Sequence, residues 1–115
     1  MTKIEFGIKL DFNNVLIRPK RTTLKSRSDV ELERKFKFKH SILEWKGVPI
    51  MSANMDTTGT FEVYKVLSEQ NMLTVLHKFY TLEDYTVQKT SLNPDLFAVS
   101  TGISNDDFDR LVSIM

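Results

Sequence analysis

The sequence predicts an α/β fold: an N-terminal arm followed by the first three βα units of a (β/α)8 barrel. Three short apolar runs, at residues 48–51, 72–76 and 96–99, start roughly 24 residues apart, a spacing suited to parallel strands joined by right-handed crossovers. Each run ends in a polar cluster, and each cluster is followed by apolar residues at helical spacing. A parallel sheet of only three strands would leave two bare edges and too little helix to cover it. The opening portion of an eight-unit barrel of ~250 residues is therefore preferred to a small self-contained sheet. The arm takes residues 1–47, with short strands, and the βα units take 48–115.

Composition bounds the possibilities. A chain of 115 residues is at most one domain of ordinary size. With 41% hydrophobic and 27% charged residues, it falls among globular rather than disordered chains. A net charge of +1 supplies no global field for nucleic acid. The chain has no cysteine, which excludes disulfides and thiolate metal sites within it. No apolar run approaches the ~18–20 residues of a membrane span. The N-terminus carries Glu5 and no apolar stretch of signal-peptide type. The expectation is a cytoplasmic protein without membrane or nucleic-acid partners.

Within the arm, residues 10–17 have apolar ends around an Asn13-Asn14 turn. Five basic residues follow: Arg18, Lys20, Arg21, Lys25 and Arg27. A basic run is commonly a solvated face. The other reading is an anion clamp, in which Ser26 or Arg27 grips a phosphate through charge-assisted hydrogen bonds. The residues alone leave both open. Residues 35–39 alternate Lys and Phe strictly, which predicts a strand with one wet and one buried face.

The run at 48–51 reads as a strand covered on both faces, with Pro49 near its start. Asn54 and Asp56 stand where it ends, at the position that carries chemistry in α/β folds. An Asp opening such a loop is as often a turn or cap. Phe61, Tyr64 and Leu67 form a helical stripe ending by Asn71, with Glu62 suited to the first turn. The second strand ends in His77-Lys78. Lys78 is either a solvated strand end or a rim cation for a phosphate or ribose. His77 reads as a satisfied core residue and stays out of the site. Residues 81–84, Thr-Leu-Glu-Asp, are a capping-box variant opening a helix to about Thr90. Asn93-Pro94-Asp95 is a turn. The third strand ends in Ser100-Thr101-Gly102, and Ser104 caps a helix with Phe108, Leu111, Val112 and Met115 on one face. The methionines read as core filler. No Gly-x-Gly-x-x-Gly is present, which disfavours a Rossmann dinucleotide domain.

Four stretches resemble one family in order. Residues 10–34 (LDFNNVLIRPKRTTLKSRSDVELER) are similar to the opening arm of the IMP dehydrogenase/GMP reductase family, whose fold is the TIM barrel. Residues 47–62 (GVPIMSANMDTTGTFE), 74–78 (TVLHK) and 99–102 (VSTG) are similar to its first, second and third barrel strands. Only residues 91–95 separate the second helix from the third strand, which leaves no room for the regulatory domains of IMP dehydrogenases. The Lys25-Ser26-Arg27-Ser28 arm also looks like the reductase branch. Thr58, Ser52 and Phe79 stand where the family usually has valine, alanine and histidine.

The resemblance implies NADPH-dependent reductive deamination of GMP, giving IMP and ammonia through a cysteine adduct at purine C2. That cysteine is expected beyond Met115. So are the proton-handling threonine and glutamate, the GMP phosphate site and the loop that binds a monovalent cation, potassium. No catalytic or metal-binding residue is thus expected within this chain. For the cofactor the resemblance implies Ser26 and Arg27, reaching NADPH of a neighbouring subunit in a homotetramer, and Lys78. Two other readings stay open: an IMP-oxidising enzyme without regulatory domains, and a non-catalytic truncated module that competes for subunit contacts. The reading frame past Met115 separates them.

Overall fold

Short polar side chains open most of the helices and turns in the computed structural model, which describes residues 3–115. By contacts the chain divides into Met1–Val30 and Glu31–Met115. The first unit contains two single 3-10 turns, Phe12–Asn14 and Arg27–Asp29. Each is closed by a capping box, Asp11 with Asn14 and Ser26 with Asp29, which satisfies amides that a single turn cannot. The expected Asn13-Asn14 turn is the first of these.

The second unit starts with a hairpin. Strands β1 (Arg34–Lys37) and β2 (Glu44–Gly47) pair antiparallel, from Arg34 opposite Gly47 to Lys37 opposite Glu44. Phe36 and Trp45 are directly opposed, with ring centroids 5.9 Å apart. The alternation at 35–39 does form a strand, but it stops at Lys37 and leaves Phe38 exposed. Within the second unit, specific bonds hold the hairpin in place. Val48 N–H donates to Asn71 O at 2.9 Å and the Trp45 indole donates to Asp95 O at 2.6 Å. Glu33 accepts from Asn71 and pairs with Lys46 at 2.9 Å. These bonds join the hairpin to the βα units.

Strands β3 (Met51–Ser52), β4 (Leu73–Leu76) and β5 (Phe97–Val99) form a parallel sheet in that order. Helices α1 (Phe61–Ser68), α2 (Leu82–Gln88) and α3 (Asn105–Ile114) follow them in alternation. The fold is α/β, as the runs predict, and Thr60, Thr81 and Ser104 are the caps. The first strand corrects the sequence reading. Only Met51 and Ser52 join the ladder, and Ile50 and Met51 are 57% and 64% exposed rather than covered on both faces. Pro49 has no N–H to give, and the Ile50 amide turns back to Val48 O at 2.7 Å. The Ile50 carbonyl still accepts from Leu73 N–H at 3.2 Å, and residue pairing with β4 runs from Met51 opposite Leu73.

Phe61, Tyr64, Leu76, Tyr85 and Leu96 form the core, with Tyr80, Leu92, Phe97, Val99 and Ile114 packed on it. Tyr64 also pins the connection between α2 and β5. Its hydroxyl accepts from Asn93 N–H at 2.7 Å and donates to Ser91 O at 3.3 Å. Replacing Tyr64 by Phe keeps the ring and strands the Asn93 amide. The expected cost is about 1–3 kcal/mol, read as a lower urea midpoint with unchanged slope; an unchanged midpoint contradicts this role.

Candidate functional site

Parallel strands bring the carboxyl ends of β3, β4 and β5 to one rim. After β3 the loop closes on itself: Ser52 Oγ donates to Thr58 O at 2.6 Å, and Thr58 Oγ1 donates to Ala53 O at 3.0 Å. Asn54 and Asp56 stay exposed at its tip. The loop then returns to β4 through Gly59, whose carbonyl accepts the His77 N–H at 2.9 Å. A Cβ at residue 59 would run into the carbonyl oxygens of Val75 and Ala53. Glycine is required there by close approach rather than by backbone angle.

The end of β4 is held by side chains. His77 is buried, and its Nδ1 accepts from Phe79 N–H at 3.2 Å. Its ring stacks on Tyr80 at 4.0 Å, and Tyr80 stacks on Phe61 at 4.0 Å. The Tyr80 hydroxyl accepts from Phe61 N–H at 3.1 Å, satisfying the first amide of α1. Arg110, from α3, donates to Tyr80 O at 2.6 Å. Lys78 projects from this fixed turn into solvent, with Nζ 5.6 Å from the centroid of the Phe79 ring.

At the end of β5, Ser100 N–H donates to Leu76 O at 3.2 Å, while its Oγ is buried without a partner. Thr101 Oγ1 donates to Asp107 O at 3.1 Å. Asp107 accepts from Ser104 Oγ at 2.6 Å and Ser104 N–H at 3.2 Å. Its carboxyl sits below the ordinary value, first through the hydrogen bonds from Ser104 and then through the charges of Lys78 and Arg110. Asp107 thus lies in the field of Lys78, although the two form no ion pair.

Ser26 and Arg27 lie together on the capped turn of the first unit; Lys78 belongs to the second. Ser26 Oγ accepts from Ser28 N–H at 3.3 Å and lies 2.8 Å from Ser28 Oγ. Asp29 accepts from Ser26 N–H at 3.0 Å. The turn is closed by its own residues, and the Arg27 side chain is exposed and in no ion pair among the described residues. Exposed guanidinium and ammonium groups on fixed turns suit phosphate oxygens. No group of three or more His, Asp or Glu able to hold a metal ion occurs among the described residues. Sequence reasoning missed Tyr80 and Arg110. Arg110 lies three residues past Asp107, a helical spacing that could have marked it; the stack of His77 on Tyr80 had no such local signal.

No protein-family model matches the chain. Among curated proteins, it is 53% identical over 116 aligned residues to the GMP reductases of Salmonella paratyphi B, Salmonella newport and Salmonella heidelberg. The match takes in 98% of this chain and 33% of each relative. The chain spans about one third of the length of the curated relatives it matches. The resemblance to GMP reductase read from the sequence is borne out, and the coverage is consistent with an N-terminal portion.

The rim's carboxylate has a pH consequence. Because the folded form holds Asp107 below its ordinary value of 3.8, its contribution is complete above that value and is lost as pH falls through the lower folded one. Asp107→Asn should lower stability near neutral pH and flatten the acid limb of the stability profile below about pH 4. An acid limb identical to that of the parent contradicts this.

Proposed function

We propose that this chain is the N-terminal portion of a GMP reductase, which converts GMP to IMP and ammonia with NADPH as reductant. The similarity of 98% of the chain to proteins of that name carries the reading. The short connection supports the reductase over an IMP dehydrogenase with inserted domains: only the turns Lys89–Ser91 and Pro94–Leu96 and the residues between them separate α2 from β5.

In this reading the three βα units are the first three of a TIM barrel, and their rim faces the reaction. NADPH, when bound, supplies the hydride. Lys78 offers its ammonium to oxygens of the cofactor from the end of β4, and Ser26 and Arg27 offer hydroxyl and guanidinium to the cofactor of a neighbouring subunit in a homotetramer. Their exposure and fixed backbones fit that task. The chain contributes no nucleophile, since it has no cysteine. The thiol, the GMP phosphate site and a potassium site are assigned to the part of the relatives that this chain does not span. A cytoplasmic location accompanies the assignment; no helix among the described residues is long and apolar enough to cross a membrane.

Two outcomes test the proposal. In the full-length protein, Arg27→Ala should raise the KM for NADPH roughly ten- to a hundredfold, with the KM for GMP close to normal. A rise confined to GMP overturns the assignment of the arm. The 115-residue chain alone should not oxidise NADPH in the presence of GMP; turnover by it would falsify the division of labour described above.

A further inference from the structure

We infer that His77 is a positioning residue for Lys78, acting through the hydrogen bond that its Nδ1 accepts across the turn. The inference rests on the assignment of Lys78 to the cofactor.

The geometry is that of a side chain capping its own turn. Phe79 N–H donates to His77 Nδ1 at 3.2 Å, so a ring closes across Lys78 and restricts its backbone from both sides. His77 is itself immobilised. Only 8% of it is exposed, its N–H is bound to Gly59 O at 2.9 Å, and its ring lies 4.0 Å from that of Tyr80 at an interplanar angle of 21°. Tyr80 is fixed in turn by Phe61 N–H at 3.1 Å and by Arg110 at 2.6 Å. The turn carrying the cation is thereby tied to α1 and α3.

The same imidazole also sets the neighbour of the cation. The rings of His77 and Phe79 lie 5.7 Å apart, and Lys78 Nζ lies over the Phe79 ring at 5.6 Å. An exposed lysine otherwise spreads over many rotamers, and ordering it on binding costs affinity. A turn that holds its backbone and its ring partner in place reduces that cost. To accept from Phe79, Nδ1 must carry its lone pair, so the proton of the neutral ring sits on Nε2. An amide oxygen at the same place can do this; a phenyl ring cannot.

Three variants of the full-length protein test the inference, with kcat and the KM values for NADPH and GMP as readouts. Lys78→Met removes the cation and should raise the KM for NADPH about tenfold. His77→Phe keeps a ring for Tyr80 but removes the acceptor. It should raise the KM for NADPH roughly three- to tenfold with kcat and the KM for GMP little changed. His77→Asn gives up the stack, keeps an acceptor, and should stay near the parent value for NADPH. Combined with Lys78→Met, His77→Phe should add nothing further, because both act through one group.

A parent-like KM for NADPH in His77→Phe, an equal rise for both substrates, or additivity with Lys78→Met overturns the inference. Should His77→Phe fail to fold, His77→Ala against His77→Asn decides it: a raised KM restored by Asn supports positioning, and equal values reject it. If Lys78→Met itself leaves the KM for NADPH unchanged, the cofactor assignment fails and the inference falls with it, an outcome distinct from failure at His77 alone.

Discussion

A column of three rings, His77 on Tyr80 on Phe61, binds the end of β4 to the first turn of α1. Each stacked pair contributes about 0.5–1.5 kcal/mol beyond the area it buries. The column matters more for what it fixes than for that sum. The Tyr80 hydroxyl satisfies an amide that α1 cannot satisfy internally, and the Tyr80 carbonyl receives Arg110 from α3. Gly59 brings the preceding loop against the same strand end. The loop after β3 and all three helices, α2 through the edge of Tyr85 on Tyr80, therefore meet on residues 77–80. Loss of the column would leave β4 paired in the sheet but free the turn that presents Lys78.

Local chemistry made much of this architecture readable in advance. Thr60, Thr81 and Ser104 open helices because a short hydroxyl side chain accepts from an amide two or three residues on, and no distant residue is needed. The second and third strands were readable as short apolar runs between polar clusters, with boundaries within a residue of those observed. The first was misread because its hydrophobicity suggested a covered strand, while the ladder obeyed hydrogen-bond supply around Pro49. Strand β2 was not singled out among the short strands expected of residues 1–47. Glu44–Gly47 is short and carries a single large apolar side chain, Trp45, and it becomes a strand through its partner Arg34–Lys37.

The candidate site divides along the same line. Lys78 stood out as a candidate by its place at a strand end, and Ser26 and Arg27 by the basic run around them, and in both cases the resemblance pointed the reading to a cofactor. Nothing within a few residues of His77 announced that its ring would meet Tyr80, since those contacts form only when the turn folds back over α1. The sheet also points outward from itself. Among the described residues β3 and β5 each have a partner on one side only, and Phe108 and Val112 of α3, with Met115 at its C-terminal cap, are more than half exposed. Unpaired strand edges beside exposed apolar side chains favour burial against more protein.

Amide hydrogen exchange of the full-length protein, with NADPH or GMP added separately, tests the central claim most directly. The claim is that this part of the chain grips the cofactor and leaves the nucleotide substrate to other residues. NADPH should slow exchange at the Arg27–Asp29 turn and at the amide of Phe79, and GMP alone should leave both nearly unchanged. Protection of these amides by GMP, with none from NADPH at saturating concentration, contradicts the account.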